Sequence, residues 1–338
     1  MTSRERVLAA LFGAPVDRPP VSFWGHVYHR ESSAEELVAH TMERWRKFGW
    51  DWVKLNPRKH YHVEPWGVRY DYSGVPDAKP TLAAYPVHSA ADWAKITEVP
   101  HDGGALGEQI EAVRMLRAQL PADIPLLQTV FTPLAILGEL TEPPTMLKEH
   151  LDSAPDAIER ALENVTRVYE KYVREIMRAG ADGIYLATVD WGTSRFVTPD
   201  TLRRWSRPYD LRVLTAAGAS PYHTMHICQG DALVAEFADY PVGAFSWDAA
   251  ANGNPSLSEG LAKLPGAVMG GIAHDGALQS SDPEEALQSY RRAYQETGGR
   301  RWLFAPGCSM PPQTPERTLT ALRDEVDRIP VQSGRVAD

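Results

Sequence analysis

The chain has 338 residues, 35 Lys+Arg against 44 Asp+Glu for a formal charge of −9, and 43% hydrophobic residues. That balance lies near the globular average and excludes disordered, collagenous and fibrous chains, while the acidic surplus argues against a dedicated nucleic-acid binder, which carries a basic face. Two cysteines are no disulfide framework, and no run approaches the roughly 18 apolar residues of a membrane span.

The N-terminus, MTSRERVLAALFGAPVDRPP, has no apolar core followed by small residues, so a cytoplasmic rather than a secreted protein is expected. Arg4–Leu11 is amphipathic and leads into a first predicted strand, Val21–Trp24. Ser33 followed by Glu36 resembles a capping box, which opens a helix by satisfying unpaired N–H groups of its first turn. The second predicted strand is Trp52–Leu55. After it, residues 57–104, with HYHVEPWGVRYDYSG and repeated Pro and Gly, read as loops or a hairpin rather than one helix.

Further strands are predicted at Pro125–Phe131, Gly183–Thr188, Tyr222–His226, Ala244–Trp247, Ala267–Gly270 and Trp302–Ala305. Between them lies a long helical stretch, Asp156–Ala179, ended by Gly180. Thr198-Pro199, Asp282-Pro283 and Thr314-Pro315 each place a capping residue before a proline suited to the first helical turn. Eight strands alternating with helices predict an α/β protein, a (β/α)8 TIM barrel, as a single domain over 1–330 with a tail at 331–338. The 57–104 insertion follows a strand's C-terminal end and is expected over the C-terminal mouth of the barrel.

In such a barrel the active site gathers at the C-terminal ends of the strands. Strand one ends near His26, strand two at Lys54 and Asn56, strand four at Asp190, and strand six at Asp248. Strand five ends on His226 with Cys228 just beyond, strand seven leads to His274 and Asp275, and strand eight to Cys308. Both cysteines thus fall on one mouth. Alternation puts His226 and Cys228 on the same side. With Cys308 they offer one imidazole and two thiols, a soft set that suits Zn2+ and leaves a fourth position open, as in catalytic sites. The same residues also read as two ordinary thiols and a hydrogen-bonded histidine.

The remaining candidates each carry two readings. Asp190 and Asp248 are read as catalytic or as partners orienting His226, and otherwise as caps or loop hydrogen-bonders. His26 and His274 are proton carriers or structural hydrogen-bonders. Glu139 is a candidate fourth ligand. Trp24, Trp191 and Trp247 wall the pocket, or else pack at the barrel rim; aromatic walls suit apolar, aromatic or quaternary-ammonium substrates. His60, His62 and His88 form a second metal cluster or, more simply, solvated loop histidines.

Four segments carry a family likeness along nearly the whole chain. RVLAALFGAPVDRPPV (6–21), GADGIYLATVDWGTSRFVTPDTLRRWSRPY (180–209), HICQG (226–230) and PGCSMPPQTPERTLTAL (306–322) together resemble the uroporphyrinogen decarboxylase superfamily. That superfamily divides between porphyrinogen decarboxylases and zinc-dependent corrinoid methyltransferases or related alkyl-thiol transferases. The decarboxylases carry an R-Q-x-G-R segment after the first strand for substrate carboxylates. Here the stretch is FWGHVYHR, with Arg30 its only arginine. A polycarboxylated tetrapyrrole needs cationic partners, because buried unpaired carboxylates are costly. Where the decarboxylases have Gly-His, this chain has Gly307-Cys308.

The H-x-C and the later Cys resemble the zinc ligands of the methyltransferase branch. The resemblance implies transfer of a methyl group between a corrinoid and a small thiol held on zinc as thiolate, with activation of a methyl donor as the reverse half-reaction. No D-x-H-x-x-G corrinoid signature occurs, so the corrinoid arrives free or on a partner protein. A metal-free decarboxylase of carboxylic acids and a non-catalytic corrinoid or metal carrier are the competing readings. The acceptor, donor, direction and oligomeric state stay open, a homodimer being common among decarboxylase relatives.

Overall fold

Seven of the predicted strands assemble into one parallel sheet. In the computed structural model, which describes residues 1–75 and 77–328, these are β1 (Val53–Leu55), β4 (Leu126–Phe131), β5 (Gly183–Ala187), β6 (Thr224–His226), β7 (Ala244–Ser246), β8 (Ala267–Ile272) and β9 (Trp302–Pro306). Their order is β1-β4-β5-β6-β7-β8-β9, every neighbouring pair parallel. The strands are buried almost throughout, which is why they read as short continuous apolar runs. The expected tail at 331–338 lies outside the described residues.

The first predicted strand does not join as a ladder. Val21–Trp24 makes only single parallel bridges, Val21 with Phe304 and Gly25 with Met310. The cause is local: Pro19 and Pro20 have no N–H to give, and the Val21 N–H donates to the Asp51 carboxylate at 2.9 Å. Asp51 is itself buried between Arg6 and Arg18. The segment still ties together both edges of the sheet. Ser22 N–H donates to Phe304 on β9 at 3.2 Å and Asp51 N–H to the Val21 carbonyl at 2.9 Å, while Ser22 Oγ donates to the Trp52 carbonyl at 2.8 Å.

Two apolar clusters follow from the alternation of side chains along the strands. One face sends Leu127, Tyr185, Ala244, Ala267, Met269, Leu303 and Ala305 into a cluster with Trp24, Trp52 and the N-terminal helix Ser3–Leu11. The other face packs against the surrounding helices. The long helix Pro155–Arg178 buries one stripe, including Ile158, Val165, Tyr169 and Ile176. At helix Ala34–Phe48 only half of the expected capping box forms. Ser33 Oγ accepts from Glu36 N–H at 3.3 Å, but the Glu36 carboxylate turns to Arg30.

Between β1 and helix Gly104–Gln119 the chain builds an antiparallel pair, β2 (Arg69–Asp71) with β3 (Thr81–Ala84), and short 3₁₀ helices at Glu64–Trp66 and Ala90–Lys95. Among the described residues no helix is long and apolar enough to cross a membrane.

Candidate metal centre

His226 closes β6, with Ala187 of β5 on one side and Ser246 of β7 on the other. Ile227 N–H extends the ladder to the Ser246 carbonyl, and its side chain is buried in the outer core. His226 and Cys228 therefore share the opposite face. Cys308 reaches them from the loop after β9. The ligand atoms of His226, Cys228 and Cys308 all lie within 4.8 Å of one another, the only such His/Cys/Asp/Glu group among the described residues. The two sulfurs are 3.5 Å apart. Two thiolates on one tetrahedral zinc, each at about 2.3 Å, would stand roughly 3.8 Å apart, so the geometry needs little adjustment.

The imidazole is oriented from behind. His226 Nδ1 bonds Ser246 Oγ at 3.1 Å, and Tyr185 OH bonds the same oxygen at 3.1 Å while its ring stacks on the imidazole at 5.0 Å. That leaves Nε2 buried and, among the described residues, without a hydrogen-bond partner, a costly state unless a ligand fills it. An orphaned imidazole nitrogen beside two thiols fits a soft divalent metal. The Cys308 thiol is drawn well below its usual range by the hydrogen bond from Cys228, then by His226 and His274, against the effect of burial. The same bond and burial push Cys228 up.

Asp248 and His274 serve each other rather than His226, correcting the expectation that Asp248 orients that imidazole. His274 Nδ1 bonds Asp248 Oδ2 at 2.8 Å, and this bond raises the His274 pKa. Asp248 also accepts from Ala250 N–H at 3.0 Å. It is packed so closely on Gly307 that a Cβ there would come within 2.4 Å of its carboxyl carbon. The pair thus abuts the residue preceding Cys308.

A cavity of about 540 Å³ opens beside the three donors. Trp24, His26, Asn56 and Asp190 line it. Burial raises the Asp190 carboxyl, and the preceding Val189 holds a left-handed φ of 49° that a β-branched residue rarely adopts. His26 Nδ1 is tied to the buried Glu31 carboxylate at 2.9 Å. Trp191 and Trp247 do not line the cavity. Trp191 lies against Gly138, where an added Cβ would fall 1.8 Å from its Nε1, and Trp247 packs on Gly260 with its N–H donating to the Pro255 carbonyl. Their indoles are buried in the outer core, because positions after a strand end can turn either way.

His60 and His62 are neither solvated nor a second metal cluster. Both are buried in the cavity wall, His62 Nε2 bonded to Glu139 and His60 stacked on Tyr70 at 3.6 Å. His88 is exposed elsewhere. Glu139, spent on His62, lies outside the three-donor group and is not its fourth member.

The sequence reading assigned no role to Lys54 or Ser246. Lys54 is buried, its Nζ donating to Asn56 Oδ1 at 2.7 Å and lying 5.3 and 4.8 Å from the Trp24 and Tyr185 rings. Burial lowers it to about 7. A lysine inside an apolar strand, two residues before Asn56, was the available signal. Ser246 stood two residues before Asp248 and gave none.

Fold and site together define an α/β enzyme scaffold with one His/Cys/Cys donor set where its parallel strands end. The chain belongs to the uroporphyrinogen decarboxylase (URO-D) family, whose profile matches residues 2–329. It is similar to the methylcobamide:CoM methyltransferase MtaA of Methanosarcina barkeri, 24% identical with 96% of this chain and 98% of that protein covered. It is also similar to a uroporphyrinogen decarboxylase of Trichlorobacter lovleyi, 25% identical over 67% of this chain and 70% of that one. The solved structure of a methyltransferase from Methanosarcina mazei shares the fold, with a TM-score of 0.83, 21% identity, and 97% and 99% of the two chains covered.

Proposed function

We propose that this protein is a zinc-dependent methyltransferase that moves a methyl group between a corrinoid and a small thiol. The observation that carries the reading is the buried, unpartnered Nε2 of His226 facing Cys228 and Cys308. His226, Cys228 and Cys308 would hold the ion. Bound there, Zn2+ would take a thiol at its open position and lower its pKa, keeping it a nucleophile at neutral pH.

The chain's own groups do the rest. Ser246 and Tyr185 fix the tautomer and tilt of His226. Asp190, in the cavity wall with its carboxyl raised, accepts the proton that the thiol gives up. Trp24, His26 and Asn56 contact the substrate, and Asp248 with His274 steadies the Cys308 loop. We read Pro20–Gly25 as closing the parallel sheet into an eight-unit barrel, with the β2–β3 insertion over its mouth. Among the described residues the cavity wall carries one arginine and three lysines, Lys54, Lys59 and Lys79. Its single arginine, Arg58, is engaged by Glu64 and Glu108.

With no corrinoid motif in the chain, the corrinoid comes free or on a partner protein. The deciding experiment is metal analysis joined to a methylcobalamin-to-thiol assay across a panel of thiols. About one zinc per chain is expected, with zinc and transfer lost together in Cys308→Ser. Normal turnover by a zinc-free Cys308→Ser protein would overturn the proposal.

A further inference from the structure

We propose that a second, much smaller cavity behind Lys54 and Asn56 is a binding site for a monovalent anion of chloride size. The cavity measures about 30 Å³ and lies between helix Ala34–Phe48, the Ser22–Gly25 segment and β1. A space of this size holds roughly one or two water-sized occupants. Trp24, Lys54 and Asn56 line both this cavity and the large one, so they form the wall between them.

Its lining brings unpaired donors together. Trp50 Nε1 and Asn56 Nδ2 are buried with no hydrogen-bond partner, on residues only 3% and 8% exposed. Arg44 has no carboxylate within hydrogen-bond reach among the described residues. Its contacts are the Met310 sulfur at 3.8 Å and the Phe48 ring at 5.7 Å, and nearby Glu316 is taken by Lys47. Lys54 adds a further N–H donor group, its Nζ hydrogen-bonded to Asn56 Oδ1. Among the described residues no carboxylate lines the cavity.

The Arg44 charge, more than the count of hydrogen bonds, favours an anion over water here. Water filling the space must find two acceptors for its own hydrogens. Asn56 Oδ1 already accepts from Lys54 and Ser309 and the Trp50 carbonyl from Trp45, while the Thr41 and Ser22 hydroxyls, each donating to a backbone carbonyl, keep their oxygens as acceptors. The His40 ring supplies one acceptor at most. A halide needs none, satisfies several N–H groups at once, and offsets the charge of Arg44 where burial makes it expensive. Polyatomic anions such as sulfate exceed the space. The proposal does not rest on the reaction proposed above, although the two cavities share a wall at Trp24, Lys54 and Asn56.

The test uses the full-length, zinc-loaded protein. Crystals soaked in sodium bromide should show an anomalous bromide signal between Arg44, Trp50 and Asn56. Thermal unfolding should rise by about a few degrees in chloride over gluconate at equal ionic strength, since an occupant bound only to the native state stabilises it. Both effects should vanish in Arg44→Met. Should Arg44→Met fail to fold, Trp50→Phe removes one N–H without touching charge and must weaken the bromide signal. A cavity holding water alone, equal stabilisation by gluconate, or a bromide signal unchanged in the variants would overturn the proposal.

Discussion

His226 gives its Nδ1 to Ser246 Oγ at 3.1 Å and keeps its Nε2 for the space shared with Cys228 and Cys308. The residue behind a ligating imidazole sets its tautomer and orientation, and such partners matter nearly as much as the ligands. Ser246→Ala should therefore weaken zinc binding roughly 10–100-fold, read by competition with a chromogenic chelator. Tyr185→Phe, which leaves the Ser246 hydroxyl in place, should cost less. Equal zinc affinity in wild type and Ser246→Ala would remove Ser246 from the site.

Gly307 sits where a Cβ would meet the Asp248 carboxyl carbon at 2.4 Å and its Cβ at 2.5 Å. Gly307→Ala must displace either Asp248 or the Cys308 loop. A loss of about 1–3 kcal/mol in stability is expected from such overpacking, together with reduced zinc content. Adding Asp248→Ala should recover little of it, because the Cβ and Cα of residue 248, at 2.5 and 2.7 Å from the new methyl, stay in place. Denaturant melts decide it, and a Gly307→Ala protein as stable as wild type would refute the contact.

Lys54 makes stability rise with pH. Burial lowers its ammonium to about 7 in the folded protein, against about 10.4 in an unfolded chain. Between these values the unfolded state binds the extra proton, so unfolding becomes harder as pH increases. Below about 7 both states are protonated and the burial penalty is complete. Lys54→Met should stabilise the protein at neutral pH and flatten its rise toward pH 10. Lys59, also lowered to about 7 by burial and by Lys79, keeps the remaining slope. Melts of wild type and Lys54→Met that run parallel across this range would contradict the assignment.

The His274–Asp248 bond carries the opposite sign. Asp248 raises the His274 pKa above the ordinary value of 6.5. Its contribution is complete below the unfolded value and fades as pH rises through the folded one. Asp248→Asn should thus destabilise most near pH 6 and less near pH 9, in urea melts at about these two pH values. A deficit that grows toward pH 9 would show that other bonds of Asp248 dominate, such as that from Ala250 N–H.

Much of the architecture was legible because its determinants are local. Apolar runs of strand length, proline-opened helices such as the one after Thr198, and Gly180 after the long helix all act over a few residues. The H-x-C spacing likewise determined that His226 and Cys228 share a face, whatever the rest of the chain does. Val21–Trp24 misled for a reason visible only in space: its N–H is captured by Asp51, which two distant arginines hold in place.

What the tertiary structure decided is which side chains meet once the strands are side by side. Trp191 and Trp247 follow strands just as Trp24 does, yet only Trp24 reaches the cavity, since Gly138 and Gly260 leave room for the other two indoles in the core. His62 found Glu139, His274 found Asp248, and Ser246 found His226, each partner brought from another strand or loop. Chain order therefore determined the donor types and their face of the sheet. Their second contacts depended on packing between segments far apart in sequence, which periodicity does not encode.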